Sequence, residues 1–374
     1  MTEVIEINTA NHRQVKQFLE VPFEIYANCP QWVPPLDVDA RRLLNRKRHP
    51  FYGHSQAAFF LAFDDNQYPI GRIAVLDNHH YNEFNHERTA FFYLFECVDD
   101  NEVSKQLFEN AFNWARACGL NKIKGPKGFT TLDGMGLLIK GFEYRPALGI
   151  PYNHAYYQKM VEEAGFHSEG DVVSGIQHSN YRIPERIHLI SEKVQKRFGL
   201  TIARFKTRAD LRKFVPKLKD LYNESLPGTV GNTPLTDEEA RMMAEQIIWF
   251  ANPRLIKILK KDERLVGYLF AYPDVSAAIQ RCKGHLFPFG WIDVLIELKR
   301  TKWININGAG IIEEYRGLGG TAVLFSEMEK SLLEGNFEHG EIVQIGLDNE
   351  KMQMEMHSLG IEFCKVHRNY VRQL

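Results

Sequence analysis

The stretch Gly310-Ile311-Ile312-Glu313-Glu314-Tyr315-Arg316-Gly317-Leu318-Gly319-Gly320-Thr321 decides how the rest of the chain is read. It joins an apolar run at 303–312, which reads as a strand, to a segment at 321–333 whose apolar residues recur at helical spacing. Closely spaced glycines let a chain turn without Cβ clashes. They also leave successive backbone N–H groups open at the positive end of the following helix, an arrangement that suits a phosphate or pyrophosphate. Arg316 adds a cation to the turn. The same residues taken singly also fit a tight strand-to-helix turn with no ligand.

Working outward, a common order of elements surrounds this turn and appears again upstream. Residues 200–205 read as a strand, 209–224 and 237–250 as helices, and 255–259 with 265–272 as a hairpin turning at Asp262-Glu263-Arg264. After the glycine turn come a strand at 341–347 and a helix from Asn349 to Gly360. In the first half, a strand at 4–7 and a helix at 13–27 precede a hairpin (57–63 and 70–76), a strand at 90–98, and a helix carrying Phe108, Phe112 and Ala115. A short strand at 122–124, a long glycine-rich loop and a helix from Asn153 to Gly165 follow. This is a repeat of architecture rather than of sequence. Alternating strands and helices predict α/β layers with a mixed central sheet in each half. Residues 184–198, with Pro184 at the start and Gly199 at the stop, read as a helix between the halves. The expected organisation is therefore residues 1–180, a linker helix at 181–199, and residues 200–374.

Composition narrows the function classes. The 374 residues carry 46 basic and 47 acidic side chains, a net charge of −1, which lacks the basic footprint of a general nucleic-acid binder. Cys29, Cys97, Cys118, Cys282 and Cys364 are scattered without metal-ligand or disulfide spacing, so reduced thiols in the cytoplasm are expected. The opening MTEVIEINTANHRQ lacks the pattern of a secretory leader, and no segment approaches the ~20 apolar residues of a membrane span. Asn78-His79-His80-Tyr81-Asn82 matches no metal-ligand spacing and reads as a polar loop. No metal is expected. The segment 284–303 is dense in Phe, Trp, Ile and Leu. It reads as a mostly buried helix covering the sheet, with an interfacial helix and peripheral membrane contact as the alternative.

The glycine turn resembles the acyl-CoA signature of the GNAT superfamily, R/Q-x-x-G-x-G/A, with Arg316 and Gly319 at matched positions and Thr321 as a departure at the last. Asn349 followed by Gly360 resembles the family's next helix, whose Asn contacts the pantetheine arm. The resemblance extends over most of the chain, through Trp32-Val33-Pro34-Pro35, Gly71-Arg72-Ile73-Ala74, Gly125-Pro126, Tyr156-Tyr157 and Leu286-Phe287-Pro288-Phe289-Gly290-Trp291. These segments look like a two-domain bacterial family of GNAT-like acyltransferases, some of them linked to N-acylation of long-chain bases. The resemblance implies two tandem acyl-CoA N-acyltransferase domains. Acetyl-CoA or a longer acyl-CoA would be the co-substrate and an amine the acceptor. The thioester and pyrophosphate would lie along Ala309, Gly310, Ile311, Arg316, Gly317, Leu318, Gly319, Gly320, Thr321, Ala322 and Asn349.

In the first half, Asp99-Asp100-Asn101-Glu102 stands where the glycine turn belongs, and acidic side chains there would repel a pyrophosphate. Acyl-CoA is therefore expected only in the second half, with the first half shaping the acceptor pocket. The family's leaving-group acid, a Tyr, is replaced by Met356, with His357 one residue further round the helix. Candidates for proton transfer or water positioning are Asn307, Glu313, His357, Glu96 and Tyr157. A Fem-like ligase dependent on aminoacyl-tRNA, and a non-catalytic acyl-CoA sensor, are the competing classes.

Overall fold

In the computed structural model, which describes residues 2–130, 133–178, 182–227, 232–248, 251–348 and 350–374, the first half runs β1 (Glu3–Glu6), α1 (His12–Ile25), α2 (Asp37–Leu43), β2 (Gln56–Phe63), β3 (Pro69–Asp77), α3 (His79–Asn85), β4 (Thr89–Cys97), α4 (Asn101–Ala117), β5 (Lys122–Gly125), β6 (Leu137–Lys140), α5 (Tyr156–Glu163) and β7 (His167–Gln177). After α6 (Glu185–Phe198), the second half runs β8 (Leu200–Ala203), α7 (Arg208–Ser225), α8 (Asp237–Ile248), β9 (Ile256–Lys261), β10 (Arg264–Pro273), α9 (Ser276–Arg281), α10 (Gly290–Arg300), β11 (Trp303–Ile311), α11 (Gly320–Glu334), β12 (His339–Gly346), α12 (Glu350–Ser358) and β13 (Glu362–Gln373).

Local chemistry accounts for the main elements. In β2, seven consecutive residues of QAAFFLAF are buried, because helices cover both faces of that strand. α4 buries Val103, Leu107, Phe108, Ala111, Phe112 and Ala115 on one stripe. Its N-cap is Asp100, whose carboxylate accepts from the N–H groups of Glu102 and Val103. The helix end that would receive a pyrophosphate in the first half is thus occupied by the chain's own carboxylate. α7 opens with a reciprocal capping box between Thr207 and Asp210.

The strands form one continuous mixed sheet in the order β1-β2-β3-β4-β5-β13-β7-β12-β11-β10-β9-β8, with β6 paired to β13. Among the described residues only β4–β5 and β11–β12 are parallel. The order reads the same from either end when the halves are exchanged, so a pseudo-twofold axis passes between β7 and β13. Each half lends its last strand to the other: β13 lies between β5 and β7, and β7 lies between β13 and β12. A buried ion pair crosses this seam, from Lys365 Nζ on β13 to Glu341 Oε1 on β12 at 2.7 Å. Burial raises the Glu341 carboxyl above the ordinary carboxylate range, and the Lys365 ammonium opposes that shift.

Both parallel pairs are short. β4 and β5 stay in register from Thr89↔Lys122 to Phe91↔Lys124, and β11 and β12 from Trp303↔His339 to Ile306↔Ile342. Beyond those points the strands part, which opens a wedge in each half.

Two expectations are corrected. Residues 79–85 form a helix, α3, capped by the Asn78 side chain, rather than a polar loop. The segment 284–303 does not make a buried helix: α10 buries only Val294, while Trp291, Ile292, Leu295 and Ile296 face outward.

Candidate active site

The wedge in the second half is built by a bulge. The register between β10 and β11 shifts between Leu269↔Ala309 and Ala271↔Ile306, which leaves Asn307 and Gly308 as the irregular pair. Gly308 has φ +107°, a conformation that an L side chain would strain. Past the bulge, the ladder fixes which N–H groups are free. The Ile312 N–H donates to Val266 O at 3.0 Å, so residues 312 and 310 turn their N–H groups toward β10. By the same alternation Ala309 and Ile311 turn theirs into the open wedge, where β12 has moved away.

The glycine turn follows directly. Arg316 donates to three backbone carbonyls: Nε to Ile311 at 2.9 Å, and the terminal nitrogens to Pro227 at 2.7 Å and Ser225 at 2.8 Å. It ties the turn to the end of α7 and leaves its charge beside the start of α11. Gly319 is the N-cap of α11 at φ +86°, and a Cβ there would lie 2.7 Å from Cγ2 of Val194 on α6. The first-turn N–H groups of α11 have no partner within the helix and point out of its positive end.

A cavity of about 1090 Å³ joins this wedge to the wedge of the first half. Asn307, Ala309, Gly310, Ile311, Arg316, Gly317 and Thr321 line it, as do Val343–Gly346 of the parted strand. Most of the remaining wall is apolar, including Leu148, Met243, Ile247 and Phe270. Glu96 lines the opposite end. Tyr157 lies behind Glu96 and donates to its Oε2 at 3.0 Å. Leu318, Gly319, Gly320 and Ala322 flank the cavity without lining it. Glu313 and His357 are exposed and lie away from the cavity, His357 packing edge-on against Phe363. Met356 is buried and does line the cavity. Asn349 lies outside the described residues.

The first-half end carries two half-buried carboxylates that line the cavity. Glu96 accepts from Tyr26 Oη at 2.6 Å as well as from Tyr157, and sits 3.8 Å from the Arg72 guanidinium. Burial raises its pKa, and Arg72 works against that rise. Arg72 also donates to Phe18 O at 2.9 Å, and its Nε has no partner among the described residues. Asp133 lines the cavity. Burial pushes its carboxyl up to about 6, against the bonds it accepts from the N–H and hydroxyl of Thr130 at 2.7 and 3.1 Å.

Two further polar groups join the ends. Gln344, on the parted part of β12, exchanges hydrogen bonds with the backbone of Met135, accepting from its N–H at 3.2 Å and donating to its C=O at 2.5 Å. This brings the Asp133 loop of the first half against the second-half wedge. Tyr272 donates to Leu148 O at 3.2 Å and accepts from Asn307 Nδ2 at 3.3 Å; burial pushes its phenol up to about 12, so it stays neutral. None of Asp133, Tyr272 or Gln344 was marked by sequence. Asp133 lies in the aperiodic glycine-rich loop, and Tyr272 and Gln344 sit in strands whose alternation reads as packing.

Outside the cavity, His54, His80 and Glu239 bring one potential ligand atom each to within 4.8 Å of one another. A tetrahedral zinc with bonds of about 2 Å holds its ligands roughly 3.3 Å apart, so the group must contract to bind one. As it stands, His54 Nε2 pairs with Glu239 Oε1 at 3.2 Å, and Thr236 satisfies the other oxygen of Glu239. The pair fastens α8, part of the cavity wall, to the first half.

No protein-family model matches the chain. Among solved structures it superposes on a tandem GNAT protein from the clavulanic acid biosynthesis pathway. The TM-score is 0.58 at 11% identity, with 100% of this chain and 98% of the other covered. This is the tandem GNAT fold. Within that fold the parted strand, the bulge and the glycine turn occupy the second repeat, and the first repeat has the parted strands without the turn. Among curated proteins, the chain is 26% identical to Protein YghO of Escherichia coli K12 over 372 residues, 97% of this chain and 94% of that protein. It is 29% identical to the bacterial ceramide synthase of Caulobacter vibrioides over 290 residues, 76% of this chain and 74% of that protein.

Proposed function

We propose that the protein is an acyl-CoA-dependent N-acyltransferase. It binds the thioester in the second-half wedge and transfers a long acyl group to a lipidic amine held by the first half. The observation that carries this reading is a continuous apolar cavity running from the glycine turn and the two wedge-facing N–H groups to the half-buried carboxylates of the first half. Its volume lies at or above the roughly 300–1,000 Å³ typical of small-ligand pockets. The relative named as a ceramide synthase supports a long-chain base as acceptor, because ceramide is the N-acyl derivative of such a base.

The chemistry follows from the placement of groups. The pyrophosphate lies on the first turn of α11, where N–H groups and the charge of Arg316 converge. The N–H of Ala309 or Ile311 receives the thioester oxygen as it gains negative charge, without needing to reorganise. Asp133 removes a proton from the incoming ammonium, which frees the nitrogen lone pair to attack the carbonyl carbon. The tetrahedral intermediate then collapses to an amide and the CoA thiolate. The nitrogen's second proton passes to solvent or to the thiolate. A thiolate leaves readily because thiols ionise near pH 8.5, so Met356 in place of an acid is compatible with turnover.

Titration calorimetry with acetyl-CoA and palmitoyl-CoA, followed by thiol release in the presence of a long-chain base, tests the reading. Tighter binding of palmitoyl-CoA and amine-dependent thiol release are expected. Binding without release on any amine would reduce the protein to an acyl-CoA sensor, and no binding would end the proposal.

A further inference from the structure

Six exposed large apolar side chains of the second half are gathered in one place, the two most exposed among them. Phe287 is 72% exposed and Phe289 73%, and Trp291, Ile292, Leu295 and Ile296 follow on α10. At 100° per residue, Trp291, Leu295, Ile292 and Ile296 fill one arc of about 140° on α10, and Lys299 falls inside it at the C-terminal end. Asp293, Glu297 and Arg300 fall on a separate polar stripe, and Val294 and Leu298 face the protein. The helix is therefore amphipathic in the outward sense, with its greasy face to solvent. The Trp291 indole N–H is satisfied internally by Pro288 O at 2.9 Å, so it adds nothing polar to the rim.

Charge and position say what covers this face. Residues 281–302 carry Arg281, Lys283, Lys299, Arg300 and Lys302 against only Asp293 and Glu297. Both carboxylates are already engaged by Arg281, at 2.8 and 2.5 Å. Lys283, Lys299 and Arg300 are exposed and make no ion pair among the described residues. The underside of the segment continues into the cavity wall. Val275, Ile279, Leu286 and Val294 pack with Val33, Leu36 and Leu148, and these last three also line the cavity. An apolar ridge with cations at its edge thus stands over one side of an apolar, acyl-sized cavity. No helix among the described residues is long and apolar enough to cross a membrane, so contact here is with a surface.

We propose that residues 287–300 dock the protein onto an anionic lipid bilayer, with Phe287 and Phe289 inserted among the acyl chains and α10 lying in the interface. Lys283, Lys299 and Arg300 then face the headgroups. The bilayer binding stands on the surface itself. Its purpose, delivery of a lipidic amine to the cavity beside Val33 and Leu36, rests on the acyltransferase reading above.

The test is flotation of the full chain with vesicles of phosphatidylcholine alone and of phosphatidylcholine mixed with phosphatidylglycerol. The wild-type protein binds the mixed vesicles, and binding weakens at least roughly tenfold on the neutral ones or in high salt. Phe287→Ser with Phe289→Ser reduces binding to mixed vesicles by a similar factor. It leaves the melting temperature and the turnover of a short, water-soluble amine unchanged. Flotation needs no catalysis, so a failed acyltransferase assay leaves this result standing, and the converse holds. Absence of wild-type binding, or equal binding by the double variant, overturns the proposal. So does a wild-type dimer in sedimentation velocity that the same substitutions dissociate, which would make the face a contact between copies of this chain.

Discussion

Replacing Asp133 with Asn should make the protein more stable and less active at once. The carboxyl lies against the cavity, and burial moves its pKa from 3.8 to about 6. That displacement corresponds to ~3 kcal/mol between the two protonation states. The sign is fixed by proton binding. Between pH 4 and 6 the folded protein holds a proton that the unfolded chain has released, so stability is full below about pH 4, falls as pH rises to 6, and stays low above it. Asn keeps an acceptor for the Thr130 N–H and hydroxyl but carries no charge to desolvate. Asp133→Asn should therefore gain about 1–3 kcal/mol at pH 7 and nothing at pH 4. Urea unfolding at the two pH values measures the difference. Activity should move the opposite way. The base works only when ionised, so kcat/KM in the wild type should rise with pH and level off above about 6. The variant should lose about 10²- to 10⁴-fold and that rise. A variant neither stabilised at pH 7 nor slowed would show that the carboxylate is not held in the cavity, and the assignment of the base would fall with it.

Ala309→Pro removes an N–H that the β10–β11 ladder does not use; with Ile311→Pro as its pair, one of the two should lower kcat about 10²- to 10³-fold while circular dichroism stays unchanged. Arg316→Ala gives up three hydrogen bonds to carbonyls in a partly solvated setting, and calorimetry should show acyl-CoA bound roughly 10- to 100-fold more weakly. Lys365→Met strands Glu341 in the seam and should cost about 3–5 kcal/mol in urea unfolding, most of which Lys365→Met with Glu341→Leu should recover. His54→Ala should lower stability by about 1 kcal/mol, since His54 is partly exposed; chelation with EDTA should leave the melting temperature where it was, because the pair is complete without an ion.

The parts of the fold that a short stretch of chain specifies were readable in advance. The glycine turn, both hairpins and α11 each combine a clear period with an unambiguous start or stop and are found within a residue or two of their expected places, and α4 carries the expected stripe of Phe108, Phe112 and Ala115. β7 and β13 carry no such signal, and the reason is physical. The residues β13 turns inward include Lys365 and His367, buried because they meet Glu341 and the Pro151 carbonyl. Its alternation is therefore one of partners rather than of hydropathy. β7 begins with four exposed residues, HSEG, and carries Gly175 opposite β13, so it too lacks an apolar signature. α10 departs from the sequence expectation for the complementary reason: density of apolar residues says that a surface needs covering, and only the fold says whether the protein covers it. Within the candidate site, the backbone groups at Ala309 and Ile311 follow from strand-to-turn geometry that the sequence carries. Asp133 comes from a loop placed by Gln344 across the seam, a contact between residues 209 positions apart.

The exchange of last strands also sets an order of events during synthesis. Residues 122–177 leave the ribosome with a vacant lane between β5 and β7, because the strand that fills it is made of residues 362–373. Until then the first half presents two open strand edges, which invite pairing with any extended chain nearby. Its sheet closes only once residues 362–373 have been made. A nonsense codon within residues 362–373 would consequently damage the first half of the fold as much as the second. For the same reason neither repeat can be expressed alone with its native edges paired.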